Sequence, residues 1–306
     1  MHPTTTLLTL ALVLHTAHAW GTLGHETIAY IAQHYVSNHT THWAQTTLID
    51  TSSSYLASVA TWADSYRYTA EGEYAIANYT TRVQTAKLGK QQVDYALRFF
   101  VHFIGDITQP LHNEALELGG NDIAVTFDGT ATNLHHIRDT NMPEELRGGY
   151  SMADAAACAA NLTAEINSGL YEREKVSWIS ILGITDAKAT AMNWATGANA
   201  FVRSIVLPGG EAAINGTETY PEYYDSAIGT AELQIAKAGY RLAAWLDAIA
   251  AAGSSTKVSA YGSRQRGLGV RGMVDMSAGE LLPAPREVRA AMFRRAAVGL
   301  GGAHEH

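Results

Sequence analysis

Hydrophobic positions recur with helical spacing along most of this 306-residue chain. The pattern predicts six main helical stretches, at residues 25–36, 55–68, 91–107, 153–169, 187–206 and 223–251. Strand-like alternation is confined to residues 121–127, between Gly119-Gly120 and Asp128-Gly129, and predicts one small hairpin. We therefore expect a mainly α, single-domain helical protein with a small β-hairpin.

The two ends of the chain differ from the part between them. Residues 7–14 form a short apolar run, and Ala17-His18-Ala19 fits a small-x-small cleavage site. The run is too short to span a bilayer, so residues 1–19 are predicted to be the signal peptide of a secreted protein whose mature chain begins at Trp20. Residues 253–306 are rich in Gly, Ser and Arg and are predicted to be a disordered tail or a propeptide. Residues 20–252 then form the folded domain.

Composition narrows the classes of function. A hydrophobic content of 47% allows one large domain to bury a full core. The net charge of −8 argues against broad nucleic-acid binding through a basic surface, although bound cations would supply a positive field to an acidic enzyme. Cys158 is the only cysteine, so no intramolecular disulfide forms. Four Asn-x-Thr sequons predict glycosylation at Asn38, Asn78, Asn161 and Asn215.

Histidine and aspartate recur at a spacing that suits metal binding. His102 and Asp106 are four residues apart, as are His135 and Asp139, so the members of each pair point the same way from a helix. One such pair is a common structural device, because a buried histidine often bonds an aspartate. Burying several carboxylates together without cations is costly, however. The further candidate ligands are Trp20, His25, Asp64 and His112.

The donor types point to catalytic zinc. Nitrogen and oxygen ligands without a thiolate favour a multinuclear zinc site with open coordination positions over a closed structural site. A mature N-terminus at Trp20 would add a chelate through its amine and its carbonyl oxygen. Asp64 lies three residues before Arg67, which places a carboxylate and a guanidinium on one helix face.

Several strings of the chain resemble the zinc-dependent single-strand-specific nucleases of fungi and plants, within the phospholipase C-like superfamily. The resemblance runs from Trp20 to about Ile249 and implies the helical fold of that superfamily. The strings are Trp20-Gly21-x-Leu23-Gly24-His25, Trp62-Ala63-Asp64-x-Tyr66-Arg67, Val101-His102-Phe103-Ile104-Gly105-Asp106, Thr108-Gln109-Pro110-Leu111-His112 and Asn133-Leu134-His135-x-x-x-Asp139.

This resemblance implies three zinc ions with the ligand sets Asp64, His102 and Asp106; Trp20 and His25, with Asp106 bridging; and His112, His135 and Asp139. It also implies that Asp64 orients the nucleophile, that Arg67 holds the scissile phosphate, and that Leu118 and Asn121 bind substrate. The expected partners are single-stranded DNA and RNA and 3′-nucleotides, cleaved to 5′-mononucleotides or dephosphorylated. A monomer without a stable protein partner or a membrane is expected.

The chain departs from the family in one segment above all. Family members carry extra residues between Arg67 and the helix that begins near Gln91, and these supply another histidine ligand and base-binding groups. No histidine lies between Asp64 and His102 here. Related losses fall at Thr130, Asn141 and Arg203, where the family has tyrosines or a cysteine. We therefore expect three protein ligands at the first zinc and weaker substrate binding. Two alternatives stay open: a degenerate, non-catalytic zinc- or nucleotide-binding protein, and a phospholipase C-type phosphodiesterase.

Overall fold

The computed structural model describes residues 20–66, 79–82 and 88–258, and these form a mainly helical structure with one β-hairpin, as the sequence predicts. The signal peptide, Arg67, Asn78 and residues 259–306 lie outside the described residues. The helices are α1 (Thr22–Tyr35), α2 (Asn38–Leu48), α3 (Trp62–Tyr66), α4 (Lys90–Asp106), α5 (Leu134–His136), α6 (Met142–Arg147), α7 (Met152–Ser168), α8 (Ala187–Phe201) and α9 (Glu222–Val258). Short 3-10 segments lie at Ala57–Val59, Pro110–Asn113, Ser177–Ile179, Ile184–Asp186 and Glu211–Ala213, and π-helical turns at Ile137–Asn141 and Val202–Val206.

Helix α2 is not among the predicted stretches, and residues 187–206 divide into α8 and a π-helical turn. Two further differences lie at residues 55–68 and at the end of the last helix. The stretch predicted as one helix at 55–68 is divided into the 3-10 turn Ala57–Val59 and helix α3. The amide of Asp64 bonds the carbonyl of Thr61 at 3.2 Å instead of continuing a regular α-helical pattern from Ala60. Helix α9 continues to Val258, six residues beyond the expected end of the domain.

A large hydrophobic core is built where α1 packs against α7 and the long helix α9. Gly239 on α9 allows the close crossing with α1, because a Cβ at this position would lie 2.5 Å from the side chain of Ile31. Helix α4 buries Leu97, Val101 and Ile104 in the same core. These positions follow the helical spacing of a buried face, and the helix ends at Asp106, which therefore emerges from the core at a fixed place.

A second, smaller hydrophobic cluster supports the hairpin. Strands β1 (Ala124–Phe127) and β2 (Thr130–Asn133) pair antiparallel, with Val125 opposite Thr132. The turn is fastened by the carboxylate of Glu218, which accepts hydrogen bonds from the amides of Asp128 and Gly129 at 3.1 and 3.0 Å. Strand β2 leads directly into α5, so the hairpin sets the position of His135.

Candidate metal centres

The first cluster consists of His25, Asp64, His102 and Asp106. Helix α1 carries His25, α3 carries Asp64, and the last turns of α4 carry the other two. The imidazoles of His25 and His102 stack with ring centroids 4.1 Å apart. Asp106 lies between them, with Oδ1 3.4 Å from Nε2 of His25 and Oδ2 3.4 Å from Nε2 of His102. Oδ1 of Asp64 is 3.6 Å from the same nitrogen of His102. The carboxylate of Asp106 thus presents one oxygen to each of the two imidazoles.

A hydrogen bond at Nδ1 of His102 directs its Nε2 to this cluster. Its Nδ1 lies 2.9 Å from the carbonyl oxygen of Ala60. Because a carbonyl oxygen only accepts, Nδ1 must carry the proton in the neutral ring, and Nε2 faces the carboxylates as a second acceptor. Both ring nitrogens of His25 and Oδ1 of Asp106 are also buried without a hydrogen-bond partner. Ring nitrogens and a carboxylate oxygen that converge in a buried place without hydrogen-bond partners fit a bound cation.

The charges of the first cluster match this fit. Burial alone would raise the pKa of Asp106, but the imidazoles of His102 and His25 outweigh it and hold the pKa at about 2. Burial, and then the neighbouring His102, lower the pKa of His25. These shifts keep Asp106 ionised and favour the neutral ring of His25, which are the forms in which the two groups bind a metal ion. The residues therefore fit zinc, which takes nitrogen and oxygen ligands of these kinds.

Trp20 is anchored beside the first cluster. Its side chain is buried, and the indole Nε1 donates to the carbonyl oxygen of Gly105 at 3.1 Å. The next amide, of Gly21, donates to the carbonyl oxygen of Asp139 at 2.8 Å. The start of the described chain is therefore held between the last turn of α4 and the turn that carries Asp139.

The second cluster consists of His112, His135 and Asp139. The 3-10 turn Pro110–Asn113 carries His112, α5 carries His135, and the π-helical turn that follows carries Asp139. Oδ2 of Asp139 lies 2.8 Å from Nε2 of His135 and 3.4 Å from Nε2 of His112. The two rings stack at a centroid distance of 4.9 Å. His135 and His112 lower the pKa of Asp139 against the effect of its burial.

A backbone carbonyl also orients His135. Its Nδ1 lies 2.8 Å from the carbonyl oxygen of Gly119, which again leaves Nε2 of the neutral ring as an acceptor facing a carboxylate oxygen. Gly119 belongs to the turn Glu117–Gly120, in which all four residues have positive φ. A Cβ at Gly119 would lie 2.7 Å from the carbonyl oxygen of Leu111, so this position requires glycine. The second cluster therefore fits a cation for the same reason as the first.

The structure brings most of the predicted site residues to these two clusters. Leu118 is 70% exposed on the turn that supports His135, and Asn121 donates to the carbonyl oxygen of Leu118 at 2.9 Å. Arg67 lies outside the described residues, so its predicted contact stays a prediction. Sequence reasoning missed the carbonyl groups of Ala60 and Gly119, because a backbone acceptor leaves no mark on the residue pattern.

Two further observations concern the sequons and the length of the helices. The sequon residues in the described chain are all exposed: Asn38, Asn161 and Asn215. Among the described helices, none combines the length and the apolar character that a membrane crossing demands.

Comparison with known proteins gives a consistent result. The chain matches a family model described as S1/P1 Nuclease in two stretches, residues 20–75 and 72–251. It is 47% identical over 263 residues to Nuclease P1 from Penicillium citrinum, an alignment that covers 75% of this chain and 97% of the relative. It is 48% identical over 275 residues to Nuclease S1 from Aspergillus oryzae, with 79% and 95% covered. Endonuclease 2 from Arabidopsis thaliana is 28% identical over 277 residues, with 76% and 91% covered.

Proposed function

The chain belongs to the S1/P1 nuclease family, and from this premise we propose that it is a secreted, zinc-dependent endonuclease that hydrolyses single-stranded DNA and RNA. The observation that carries the proposal is the pair of His/Asp clusters, in which imidazole Nε2 atoms face carboxylate oxygens. The finer parts of the proposal are release of 5′-mononucleotides, a 3′-nucleotidase activity, glycosylation, and action as a monomer.

The proposed ligands divide among three ions. Asp64, His102 and Asp106 would hold one, the Trp20 amine and carbonyl with His25 and Asp106 would hold a second, and His112, His135 and Asp139 would hold the third. When bound, zinc supplies Lewis-acid polarisation of the phosphate and a lower pKa for the attacking water. The distances within both clusters and the family membership support metal binding by these two His/Asp groups.

The chain's own residues then position the reactants. The side chains of Asp64 and Asp106 are 14% and 18% exposed, whereas that of His25 is fully buried, so the carboxylates form the side that a substrate approaches. Asp64 accepts a hydrogen bond from the attacking water and orients it toward phosphorus. Arg67 stabilises charge on the non-bridging phosphate oxygens, as a guanidinium does in a bidentate contact.

We further propose that the chain lacks a base-binding segment after Arg67 and binds substrate less tightly for that reason. In support, the match to the family model is divided at residues 72–75. The alignment with Nuclease P1 is also 263 positions long, which is more than 75% of a 306-residue chain supplies. Nuclease P1 therefore has residues in this alignment without a counterpart here. Loss of base stacking costs about 1–3 kcal/mol per base, which predicts a raised KM for single-stranded DNA.

The test is hydrolysis of single-stranded and duplex DNA by protein that begins at Trp20, with zinc supplied and then chelated. Asp106→Asn should lower the rate by more than about 100-fold, because even changes to groups that only support metal ligands cost 10–100-fold. Asp94→Asn is the matched control on the same helix. Asp94 belongs to neither cluster, and its Oδ1 lies 2.9 Å from Nε of Arg98. Turnover that survives chelation would refute the proposal. A folded, zinc-loaded protein without turnover would point instead to a degenerate binding protein.

A further inference from the structure

The side chain of Gln109 connects the two segments that carry the second cluster. It is completely buried and stands at the start of the 3-10 turn that bears His112. Its Nε2 donates to Oδ1 of Asp139, and its Oε1 accepts from the amide of Leu111 at 2.8 Å. The backbone amide of Gln109 also donates to the carbonyl oxygen of Asp106 at 3.0 Å. One residue therefore contacts the segments of both clusters.

The hydrogen bonds determine which way the amide of Gln109 points. The Leu111 amide is a donor, so the oxygen of Gln109 must face it, and the NH2 group must face Asp139. The two oxygens of Asp139 then have separate partners. Oδ1 accepts from Gln109, while Oδ2 faces Nε2 of His112 and of His135 at 3.4 and 2.8 Å. The amide thus leaves one oxygen directed at the cluster.

We propose that Gln109 is a positioning residue. It makes Asp139 a monodentate metal ligand, which binds through Oδ2 alone, and it fixes the position of Asp139 relative to His112. The inference rests on the proposed zinc-dependent function and adds a residue to it. A partner of this kind fixes the direction of the ligand lone pair and prevents the carboxylate from rotating to bind through both oxygens. If Gln109 were only a core residue, its loss would lower stability without changing metal retention.

Gln109→Met removes both side-chain hydrogen bonds at nearly constant volume. Gln234→Met is the matched control, because Gln234 is also buried and its Nε2 donates to the carbonyl oxygen of Thr108, which is not a proposed ligand. The measurement is zinc retained per chain after equilibrium dialysis against graded chelator, together with thermal unfolding of the metal-free proteins. Gln109→Met should release one ion at about 10–100-fold lower chelator concentration, while Gln234→Met keeps the wild-type profile.

A second variant, Gln109→Asn, tests the inference if Gln109→Met does not fold. Gln109→Asn keeps an oxygen that can bond the amide two residues ahead, as in an Asx-turn, but the shorter side chain withdraws from Asp139. It should weaken retention of the same ion. A wild-type zinc profile in either folded variant, or an equal loss in Gln234→Met, would overturn the inference. Wild-type protein that retains no zinc would overturn the proposed function and the inference with it.

Discussion

Adding one methyl group at Gly105 should damage the first cluster although it favours the helix. Gly105 lies in the last turn of α4, and its missing side chain faces the imidazole of His25. A Cβ there would lie 3.0 Å from Nδ1 and 3.1 Å from Cε1 of His25, and 3.3 Å from Ile28 Cδ1. Optimal carbon contacts are about 3.5–4.0 Å, so the imidazole must move.

The expected magnitude follows from two opposing effects. Replacing glycine by alanine inside a helix stabilises it by about 1 kcal/mol, whereas overpacking a filled core costs about 1–3 kcal/mol. The net change in the free energy of unfolding of Gly105→Ala should therefore lie between about zero and a loss of 2 kcal/mol. The nuclease rate and zinc content should fall more than the stability. The ring of His25 stacks on that of His102 with centroids 4.1 Å apart, so any displacement changes its position relative to Asp106.

Gly197→Ala is the control for this prediction. Gly197 lies inside α8, and a Cβ at this position would meet nothing within 4 Å. It should gain about 1 kcal/mol without a change in zinc content or nuclease rate. The assays are urea unfolding of the metal-free proteins, zinc per chain and hydrolysis of single-stranded DNA. If Gly105→Ala gains as much stability as Gly197→Ala and keeps full zinc and activity, the steric reasoning is wrong.

Two predictions concern other parts of the molecule. Burial, and then the charge of Glu165, raise the pKa of Glu232 from 4.5 to about 7, so the folded state favours the protonated carboxyl. The contribution of Glu232 to the free energy of unfolding is complete below pH 4.5 and is lost as the pH rises to about 7, a fall of about 3 kcal/mol. Glu232→Gln should flatten this part of the dependence of unfolding free energy on pH, measured by urea unfolding. An unchanged slope would contradict the prediction. Glu218→Ala should speed hydrogen exchange at the amides of Asp128 and Gly129, which the Glu218 carboxylate holds, while exchange in the core of α9 stays the same; equal protection in both proteins would show that the carboxylate does not fasten the turn.

Helical spacing was sufficient to predict two of the contacts in the clusters. His102 and Asp106 meet because four residues are about one helical turn, and the structure places Nε2 of His102 3.4 Å from Oδ2 of Asp106. The same spacing brings His135 and Asp139 together although the segment between them enters a π-helical turn. The mainly helical fold and the hairpin are confirmed for the described residues. The metal-ligand roles themselves stay predictions.

Spacing could not predict how each ring is oriented. That depends on contacts between residues far apart in the chain, such as Ala60 with His102, which are separated by 42 positions. It also depends on a buried amide, Gln109, whose type and position are equally compatible with an ordinary turn. A pattern of residue types records neither the direction of a carbonyl group nor the orientation of an amide.

The carbonyls that orient the two histidines both come from places where regular helix is interrupted. In an unbroken α-helix the carbonyl of Ala60 would accept from the amide of Asp64, but that amide bonds Thr61 instead. The carbonyl of Ala60 is thereby left for His102. At Gly119 the positive φ of 67° turns the chain so that its carbonyl meets His135. The break at residues 60–61, which periodicity predicts as continuous helix, therefore helps to orient a side chain of the first cluster. A change that restored regular helix there would turn His102 away from Asp106.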